Sequence, residues 1–271
     1  YKRQDEARAV ARSLLGGERK AILLGNAAAH HAKASSLLAL ANWIGQQTGA
    51  SVGYLTEAAN TVGAQLVRAL PGQGGLNATQ MLGGALKAAL LLNTEPAFDS
   101  AAGGTGLQSA DMVVTLSPFK ANMDISDVLL PIAPFTETSG SFVNAEGRLQ
   151  SFHAVVRPLA ETRPAWKVLR VLGNLLGLPG FDADSSQAVL VAALPGVASG
   201  QTVDAGRLSN ADVVSGPAGA DLNAASVPPC VAPIYQLDSL VRRATSLQLT
   251  SDARGALSLI HISEPTRPLY I

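Results

Sequence analysis

The sequence has a single cysteine, Cys230, among its 271 residues. One thiol cannot form a disulfide within the chain, and it cannot supply the ligands of an iron–sulfur cluster or of an all-cysteine zinc site. Cys230 stands beside Pro228 and Pro229 with no second ligand nearby, so we interpret it as an ordinary thiol. This shortage excludes an all-cysteine cluster or zinc site built from this chain alone.

The sequence also lacks an excess of charge of either sign and lacks long apolar runs. Twenty lysines and arginines balance twenty aspartates and glutamates, which argues against a nucleic-acid partner or a polybasic membrane patch. Apolar runs such as residues 37–41 are far shorter than the roughly 20 residues that cross a bilayer. The first residues, Tyr1 to Gln4, are not a secretory signal. Because the chain begins with tyrosine, we expect it to be a piece of a longer product.

Hydrophobic residues make up 47% of the chain, enough for a sizeable core in a globular protein of one or two domains. Short apolar runs alternate with stretches of helical periodicity, which predicts an α/β layered domain with a mainly parallel sheet over residues 1–180. The predicted strands are residues 21–24, 52–55, 89–93, 112–116 and 128–130. The predicted helices are residues 5–15, 34–48, 58–70, 77–88 and 164–176.

Beyond residue 180 the pattern weakens. Residues 181–256 are rich in Ala, Gly, Ser, Val, Asp and Pro, so we predict an irregular C-terminal extension with a short helix at 186–194. Residues 257–271, LSLIHISEPTRPLYI, resemble a translated sequencing-adapter read-through and continue no earlier pattern. We predict that they are a non-native, poorly packed tail and exclude them from fold reasoning.

The most distinctive sequence motif of the chain lies in residues 126–152. Val128 to Leu130 form a short apolar run stopped by Pro131, as expected at the end of a buried strand. Two further short pieces meet at Asn144–Gly147, whose residues are typical of a tight hairpin turn. The segment therefore predicts a strand, a turn and a β-hairpin in close succession.

This segment resembles the signature D-V-x-L-P … F-x-E … G-(S/T)-F-x-N-x-E-G-R-x-Q of the molybdopterin oxidoreductase superfamily. The matching residues are Asp127, Val128, Leu130, Pro131, Phe135, Glu137, Gly140, Ser141, Phe142, Asn144, Glu146, Gly147, Arg148 and Gln150. Within the superfamily, the sequence of this segment is most similar to that of the large iron–sulfur subunit of bacterial NADH:quinone oxidoreductase, respiratory complex I. The stretch TEAANTVGA, residues 56–64, resembles an E-x-A-N-(S/T)-V-G-A motif of that subunit.

The resemblance implies a structural module of the electron-input arm that carries electrons from NADH to quinone. Its partners would be other subunits of the peripheral arm, on the cytoplasmic side of the bacterial inner membrane. The 4Fe-4S and 2Fe-2S clusters of such a subunit would lie in a missing N-terminal part. No catalytic residue and no metal ligand is predicted within this chain.

The resemblance also bears on the family's cofactor. Molybdenum-containing relatives use a Gly-x-Asn-Pro turn to approach the pterin, and this chain has Glu95 before Pro96. This substitution implies that molybdopterin has been lost. Gly25, Asn26, Glu95 and Asn144 are then candidates for the wall of a vestigial cofactor cleft.

Two other functions stay open at this point. One is a true molybdenum or tungsten oxidoreductase, such as a formate dehydrogenase fragment that binds a pterin dinucleotide at the strand ends. The other is a free-standing nucleotide-binding α/β module, which would have to bind nucleotide by itself. The Glu95 substitution and the TEAANTVGA stretch favour the complex I subunit over the first of these.

The remaining polar motifs favour structural roles. His30 and His31 follow the first predicted strand, where α/β folds bind ligands, but lack further metal ligands nearby, so we expect surface residues. The glycine-rich stretch 103–106 lacks a phosphate-loop motif and precedes a strand, so we expect an ordinary loop. Glu137 and Glu146 could act as an acid and base pair, but we favour carboxylates that accept loop N–H groups.

Overall fold

The protein is described by a computed structural model that covers residues 2–84, 86–100, 103–204, 206, 216 and 234–254. Helices alternate with strands, and most strand pairs are parallel, which confirms the predicted α/β class. Cys230 and residues 257–271 lie outside the described residues, and the predictions made for them stay predictions. No helix among the described residues is long and apolar enough to span a bilayer.

Seven strands lie in the described residues. They are β1 (Ala21–Leu24), β2 (Ser51–Tyr54), β3 (Ala88–Leu92), β4 (Met112–Ser117), β5 (Val128–Pro131), β6 (Gly140–Val143) and β7 (Leu149–Phe152). The α-helices of the same residues are α1 (Lys2–Gly16), α2 (Asn26–Ala29), α3 (Ala34–Thr48), α4 (Thr61–Leu66), α5 (Ala78–Leu82), α6 (Pro96–Asp99), α7 (Ala165–Leu175), α8 (Ser186–Ala193), α9 (Ser239–Arg243) and α10 (Thr245–Gln248).

The described residues form two compact units. The first contains the described residues within Tyr1–Leu70, Gly140–Phe152 and Gln187–Val231, and the second contains those within Pro71–Ser139, His153–Ser186 and Ala232–Ile271. Both units combine segments that are distant in the chain. The predicted domain boundaries after residues 180 and 256 stay predictions.

In the first unit, β1 and β2 pair in parallel from Ala21↔Ser51 to Leu24↔Tyr54. Helix α3 joins them and ends at Gly49, whose φ of 73° is the left-handed conformation that glycine adopts without strain. The apolar run of β1 predicts a strand buried on both faces, but Leu23 is 57% exposed. That expectation is wrong for the described residues of this unit, in which β1 alternates between exposed and half-buried side chains.

The core of the first unit forms around the hairpin of β6 and β7. These strands are antiparallel, with Val143 opposite Leu149, and both side chains are buried. They pack with Leu190 and Leu194 from α8 and the residue after it, and with Val203. The predicted hairpin and the predicted helix at 186–194 are thus confirmed, and the segment after residue 180 contributes to a core.

In the second unit, β4 lies between β3 and β5 in a parallel three-stranded sheet. Val113, Thr115 and Leu116 of β4 are at most 1% exposed. The carboxyl ends of all three strands meet at one edge of this sheet, since parallel strands run in the same direction. We call this edge, with the loops that follow the three strands, the strand-end edge.

Two predicted helices are shorter than expected. Helix α4 ends at Leu66, because Arg68 adopts a φ of 58° and the N–H of Ala69 donates to the carbonyl of Ala64, a left-handed termination. Helix α5 begins with the predicted cap Asn77, which exchanges two hydrogen bonds of 2.9 Å with Gln80. It ends at Leu82, before Gly83 and Gly84.

Candidate functional site

The strand-end edge of the second unit carries a buried carboxylate, Glu95, three residues after β3. Its residue exposure is 5%, and Pro96 behind it begins the short helix α6. The backbone N–H of Glu95 donates to Oδ2 of Asp99 at 2.7 Å, which orients the turn. A buried carboxylate is costly unless it is paired, so the position requires positive partners.

Arg243 is the first of those partners. Its Nη1 donates to Glu95 Oε1 at 2.7 Å, and its Nη2 donates to Oε2 at 2.8 Å. This two-point contact uses the planar guanidinium in the geometry that best matches a carboxylate. The guanidinium also lies 4.4 Å from the ring centre of Phe119, which follows β4.

Arg242 is the second partner. It donates to Glu95 Oε1 at 3.3 Å and to Asp99 Oδ1 at 2.6 Å, and its side chain is only 6% exposed. It lies 5.1 Å from the ring centre of Phe98. Its buried Nε has no hydrogen-bond partner among the described residues. Two arginines therefore balance two carboxylates, and we call Glu95, Asp99, Arg242 and Arg243 the arginine lock.

Helix α9 presents both arginines. Asp238 caps it, because its Oδ1 accepts hydrogen bonds from the N–H groups of Leu240 and Val241. Gln248 of α10 donates to the carbonyls of Tyr235 and Val241 and thereby connects α10 to α9 and to the residues before it. The segment 234–254, which we call the strap, is thus an ordered piece with the two arginines on one short helix.

The lock changes the acidity of its carboxylate. The hydrogen bond from Arg243 lowers the pKa of Glu95, burial acts in the opposite direction, and the positive charges of Arg243 and Arg242 lower it further. The same hydrogen bond raises the pKa of Arg243. Glu95 is therefore held as an anion, and two positive and two negative charges balance within the lock.

Polar groups of the loops after β3 and β4 are also hydrogen-bonded. Asn122 donates from Nδ2 to the carbonyl of Thr94 at 2.8 Å, and Thr115 Oγ1 lies 2.7 Å from Ser126 Oγ. Asn122 itself has a φ of 55° after β4, a conformation that asparagine tolerates better than most residues. These groups support the loops of the strand-end edge.

The other three predicted cleft residues belong to the first unit. Gly25 precedes α2 and Asn26 begins it, just after β1. Asn144 lies in the hairpin turn, where its Oδ1 accepts hydrogen bonds from the N–H groups of Glu146 and Arg148. The side chain of Asn144 is thus engaged in its own turn, while the proposed cleft role of all four residues stays a prediction.

The TEAANTVGA stretch contacts the hairpin directly. Asn60 Oδ1 accepts a hydrogen bond of 2.9 Å from the backbone N–H of Val143 in β6. Gly63 leaves space for the side-chain amide of Asn60, since a Cβ at position 63 would overlap that side chain. Val62 and Leu66 of α4 pack against the hairpin core. The TEAANTVGA stretch and the hairpin of residues 140–152 therefore pack together within the first unit.

His30 pairs with the carboxylate of Glu57. Its Nε2 lies 2.6 Å from Oε2 of Glu57, which follows β2, and the histidine side chain is 43% exposed. His31 accepts a hydrogen bond at Nδ1 from the N–H of Lys33. Within the described ranges, no three histidine, cysteine, aspartate or glutamate side chains are grouped to hold a metal ion.

The other predicted structural roles can be located as well. Glu137 Oε2 accepts a hydrogen bond from the N–H of Leu159, as predicted for a carboxylate that stabilises a loop. Glu146 lies in the hairpin turn of the first unit. Gly106 packs so closely on the backbone of Leu82 and Gly84 that no Cβ fits there, which assigns the glycine-rich stretch to packing.

Sequence reasoning does not identify the partners of Glu95. Arg242 and Arg243 lie 147 and 148 positions further along the chain, in a segment with weak periodicity. Adjacent arginines four and five residues after the capping residue Asp238 are a local signal for a short charged helix. Nothing local, however, indicates which carboxylate they bind.

The sequence profile described as molybdopterin oxidoreductase matches residues 10–175, more than half of the chain. The chain belongs to the molybdopterin oxidoreductase family. The match includes Glu95, the TEAANTVGA stretch and the hairpin, and it ends at the last residue of α7. The strap, which supplies both arginines of the lock, lies outside the matched residues.

Relatives named "Putative formate dehydrogenase" in Staphylococcus aureus are similar to a short segment of the chain. The protein of strain bovine RF122 / ET3-1 is 40% identical over 52 residues, and those of strains USA300 and NCTC 8325 / PS 47 are 38% identical over the same length. The segment covers 19% of this chain and 5% of each relative. The chain thus matches only a small part of these longer oxidoreductases.

Proposed function

We propose that the chain is a structural module of the large iron–sulfur subunit of NADH:quinone oxidoreductase. In this proposal it keeps the fold of its family and packs against other subunits of the peripheral arm, on the cytoplasmic side of the bacterial inner membrane. The iron–sulfur clusters of the subunit lie in a part that precedes this chain. Electrons pass from NADH to quinone through those clusters, and this chain holds their surroundings in place.

The observation that carries the proposal is the state of Glu95. At the position before proline where molybdenum-containing relatives have asparagine, this chain has a buried carboxylate bound by its own two arginines. A pterin dinucleotide carries phosphate groups, which two carboxylates repel and which would have to compete for arginines already paired. The residues present at this turn therefore do not fit the cofactor of the family, and we propose that it has been lost.

The TEAANTVGA stretch supports the same proposal. Its asparagine and glycine fix helix α4 against the hairpin, so the residues shared with the complex I subunit serve the packing of the first unit. A motif used for packing is expected in a subunit that retains a scaffold without its original chemistry. The resemblance over both stretches favours the complex I subunit as the source of that scaffold.

A second candidate is a molybdopterin-dependent formate dehydrogenase. It is favoured by the identity of 38–40% over 52 residues to the proteins of that name. In that case the strand ends would bind a pterin dinucleotide, and the arginine lock would have to open or lie beside the cofactor. The two candidates differ in metal content, electron donor and partners.

The decisive experiment is purification of the full-length protein from its native cells through an affinity tag, followed by metal analysis and two activity assays. The proposal predicts co-purification with an NADH-oxidising membrane complex, iron in the sample, and no stoichiometric molybdenum or tungsten. Growth with excess molybdate is the control for cofactor supply. Stoichiometric molybdenum together with formate-dependent dye reduction would overturn the proposal in favour of the second candidate.

A further inference from the structure

We propose that the strap, residues 234–254, is a charge-locked closure of the strand-end edge of the second unit. The arginine lock holds it there, and an opened strap would expose the loops that follow β3 and β4. The closure belongs to the second unit itself and would operate in either oxidoreductase. The strap, which lies outside the family match, thereby has a function beyond the proposed loss of a cofactor.

The position of the lock supports the closure. In open α/β sheets, ligands bind outside the carboxyl ends of the parallel strands. Glu95 follows β3 by three residues and Phe119 follows β4 by two, and both contact Arg243. The strap therefore lies against the loops of two adjacent strand ends, where a ligand of such a sheet would have to enter.

The closure depends on the buried ion pairs between Glu95 and the two arginines of the lock. The side chains of Glu95 and Arg242 are each 6% exposed, so neither charge is solvated by bulk water. Removal of one partner leaves a buried charge without its counterion, which destabilises the closed arrangement far more than loss of a surface ion pair. The strap also contributes apolar contact through the ring stacking of both arginines, which holds each guanidinium over an aromatic face.

The buried Nε of Arg242 has no acceptor among the described residues, which favours a contact that can open. A buried donor without an acceptor weakens the closed state relative to a fully satisfied network. Helices α9 and α10 are only five and four residues long, too short to be stable without their contacts. Opening should therefore convert 234–254 from an ordered segment into an extended one while the sheet remains folded.

Trypsin provides a direct measurement, because it cleaves after arginine and therefore after both arginines of the lock, Arg242 and Arg243. Cleavage after Arg242 or Arg243 requires an open strap, and its rate follows the population of the open state when closing is fast. Cleavage after Arg19, which is exposed in the loop between α1 and β1, is the reference in the same molecule. Mass spectrometry of timed digests gives both rates for the full-length protein.

The test variant is Glu95→Gln, which keeps the shape of the side chain and removes its charge. We expect the rate of cleavage after Arg242 or Arg243, relative to that after Arg19, to rise at least about tenfold, which corresponds to about 1.4 kcal/mol. The matched control is Glu161→Gln, because that carboxylate is 95% exposed and pairs with Arg163 only at 3.7 Å. The control should leave the ratio unchanged.

Equal ratios in the wild-type protein and Glu95→Gln would overturn the proposal, and so would an equal rise in the Glu161→Gln control. If Glu95→Gln does not fold, Arg243→Lys replaces it, since lysine keeps the charge and the cleavage residue but loses the two-point contact. Faster cleavage after positions 242 and 243 in Arg243→Lys, relative to cleavage after Arg19, supports the lock, and an unchanged ratio overturns it. Metal content is not read out here, so failure of this test is distinct from failure of the proposed function.

Discussion

Asn60 accepts a hydrogen bond of 2.9 Å at its side-chain oxygen from the backbone N–H of Val143, 83 positions further along the chain. Val143 is buried in the hairpin core, so its N–H cannot turn to water if the acceptor is lost. This one contact joins the two stretches of sequence that carry the family resemblance. It is therefore the natural place to test how the first unit is held together.

Replacement of Asn60 by alanine should lower the free energy of unfolding by about 1–3 kcal/mol, because a buried donor is left without a partner. Urea unfolding followed by circular dichroism measures the change. Asn26→Ala is the matched control, since the described hydrogen bond of Asn26 is accepted by its backbone carbonyl, which alanine retains. A change of less than about 0.5 kcal/mol in Asn60→Ala would mean that the contact contributes little.

Gly63→Ala should be destabilising by about 1–3 kcal/mol, because the new methyl group overlaps the Asn60 side chain. The reason is local, so the cost should fall when the obstacle is removed. The double variant Asn60→Ala and Gly63→Ala should lose less stability than the sum of the losses of the two single variants, by about 1 kcal/mol. Additive losses in the same urea experiments would show that Gly63 is required for some other reason.

Several elements follow from the sequence because they depend on neighbouring residues. The apolar run Ala21–Leu24 forms β1 with the predicted bounds, and Asn77 caps α5 through the residue three positions later. The hairpin forms around Asn144–Gly147, where the residue types predict a tight turn. In each case the information lies within about five residues, the range over which turn and capping chemistry acts.

Other features depend on contacts that the sequence does not reveal. Helix α4 ends at Leu66 because Arg68 adopts a left-handed conformation, although arginine is not a residue type that favours positive φ. Glu95 stands out in the sequence as an unusual residue, but its role follows from Arg242 and Arg243, which lie in a segment predicted to be irregular. Pairing between distant charges is set by the tertiary fold, so the local sequence does not reveal it.

Gly147→Val should damage folding of the first unit. Gly147 has a φ of 81°, a conformation that costs a residue with a Cβ roughly 1–2 kcal/mol and a β-branched residue more. Its N–H donates to the carbonyl of Asn144 and closes the hairpin turn. We expect a loss of at least about 2 kcal/mol in urea unfolding.

Gly147→Asn is the control for this position, since asparagine tolerates positive φ and should cost clearly less than valine. Equal stability of wild-type and Gly147→Val protein would place the turn elsewhere. Equal losses for valine and asparagine would point to lack of space at this position rather than to backbone conformation.

The pH dependence of stability should report Glu95. Its pKa in the folded protein lies below the ordinary value of 4.5, so its ionised form stabilises the protein above that value. This contribution is lost as the pH falls through the lower pKa of the folded state. At neutral pH, Glu95→Gln should be less stable than wild-type protein by about 3 kcal/mol, because the buried guanidinium group of Arg242 and the partly exposed one of Arg243 lose their shared counterion.

The difference between the two proteins should shrink as the pH falls below 4.5, since protonated glutamate and glutamine then present similar uncharged groups to the arginines. Urea unfolding of both proteins between about pH 3 and pH 7 measures this convergence. Glu161→Gln should track the wild-type curve throughout, because its carboxylate is exposed. A difference that stays constant with pH would mean that the amide acts through shape, and that the charge of Glu95 does not hold the arginine lock.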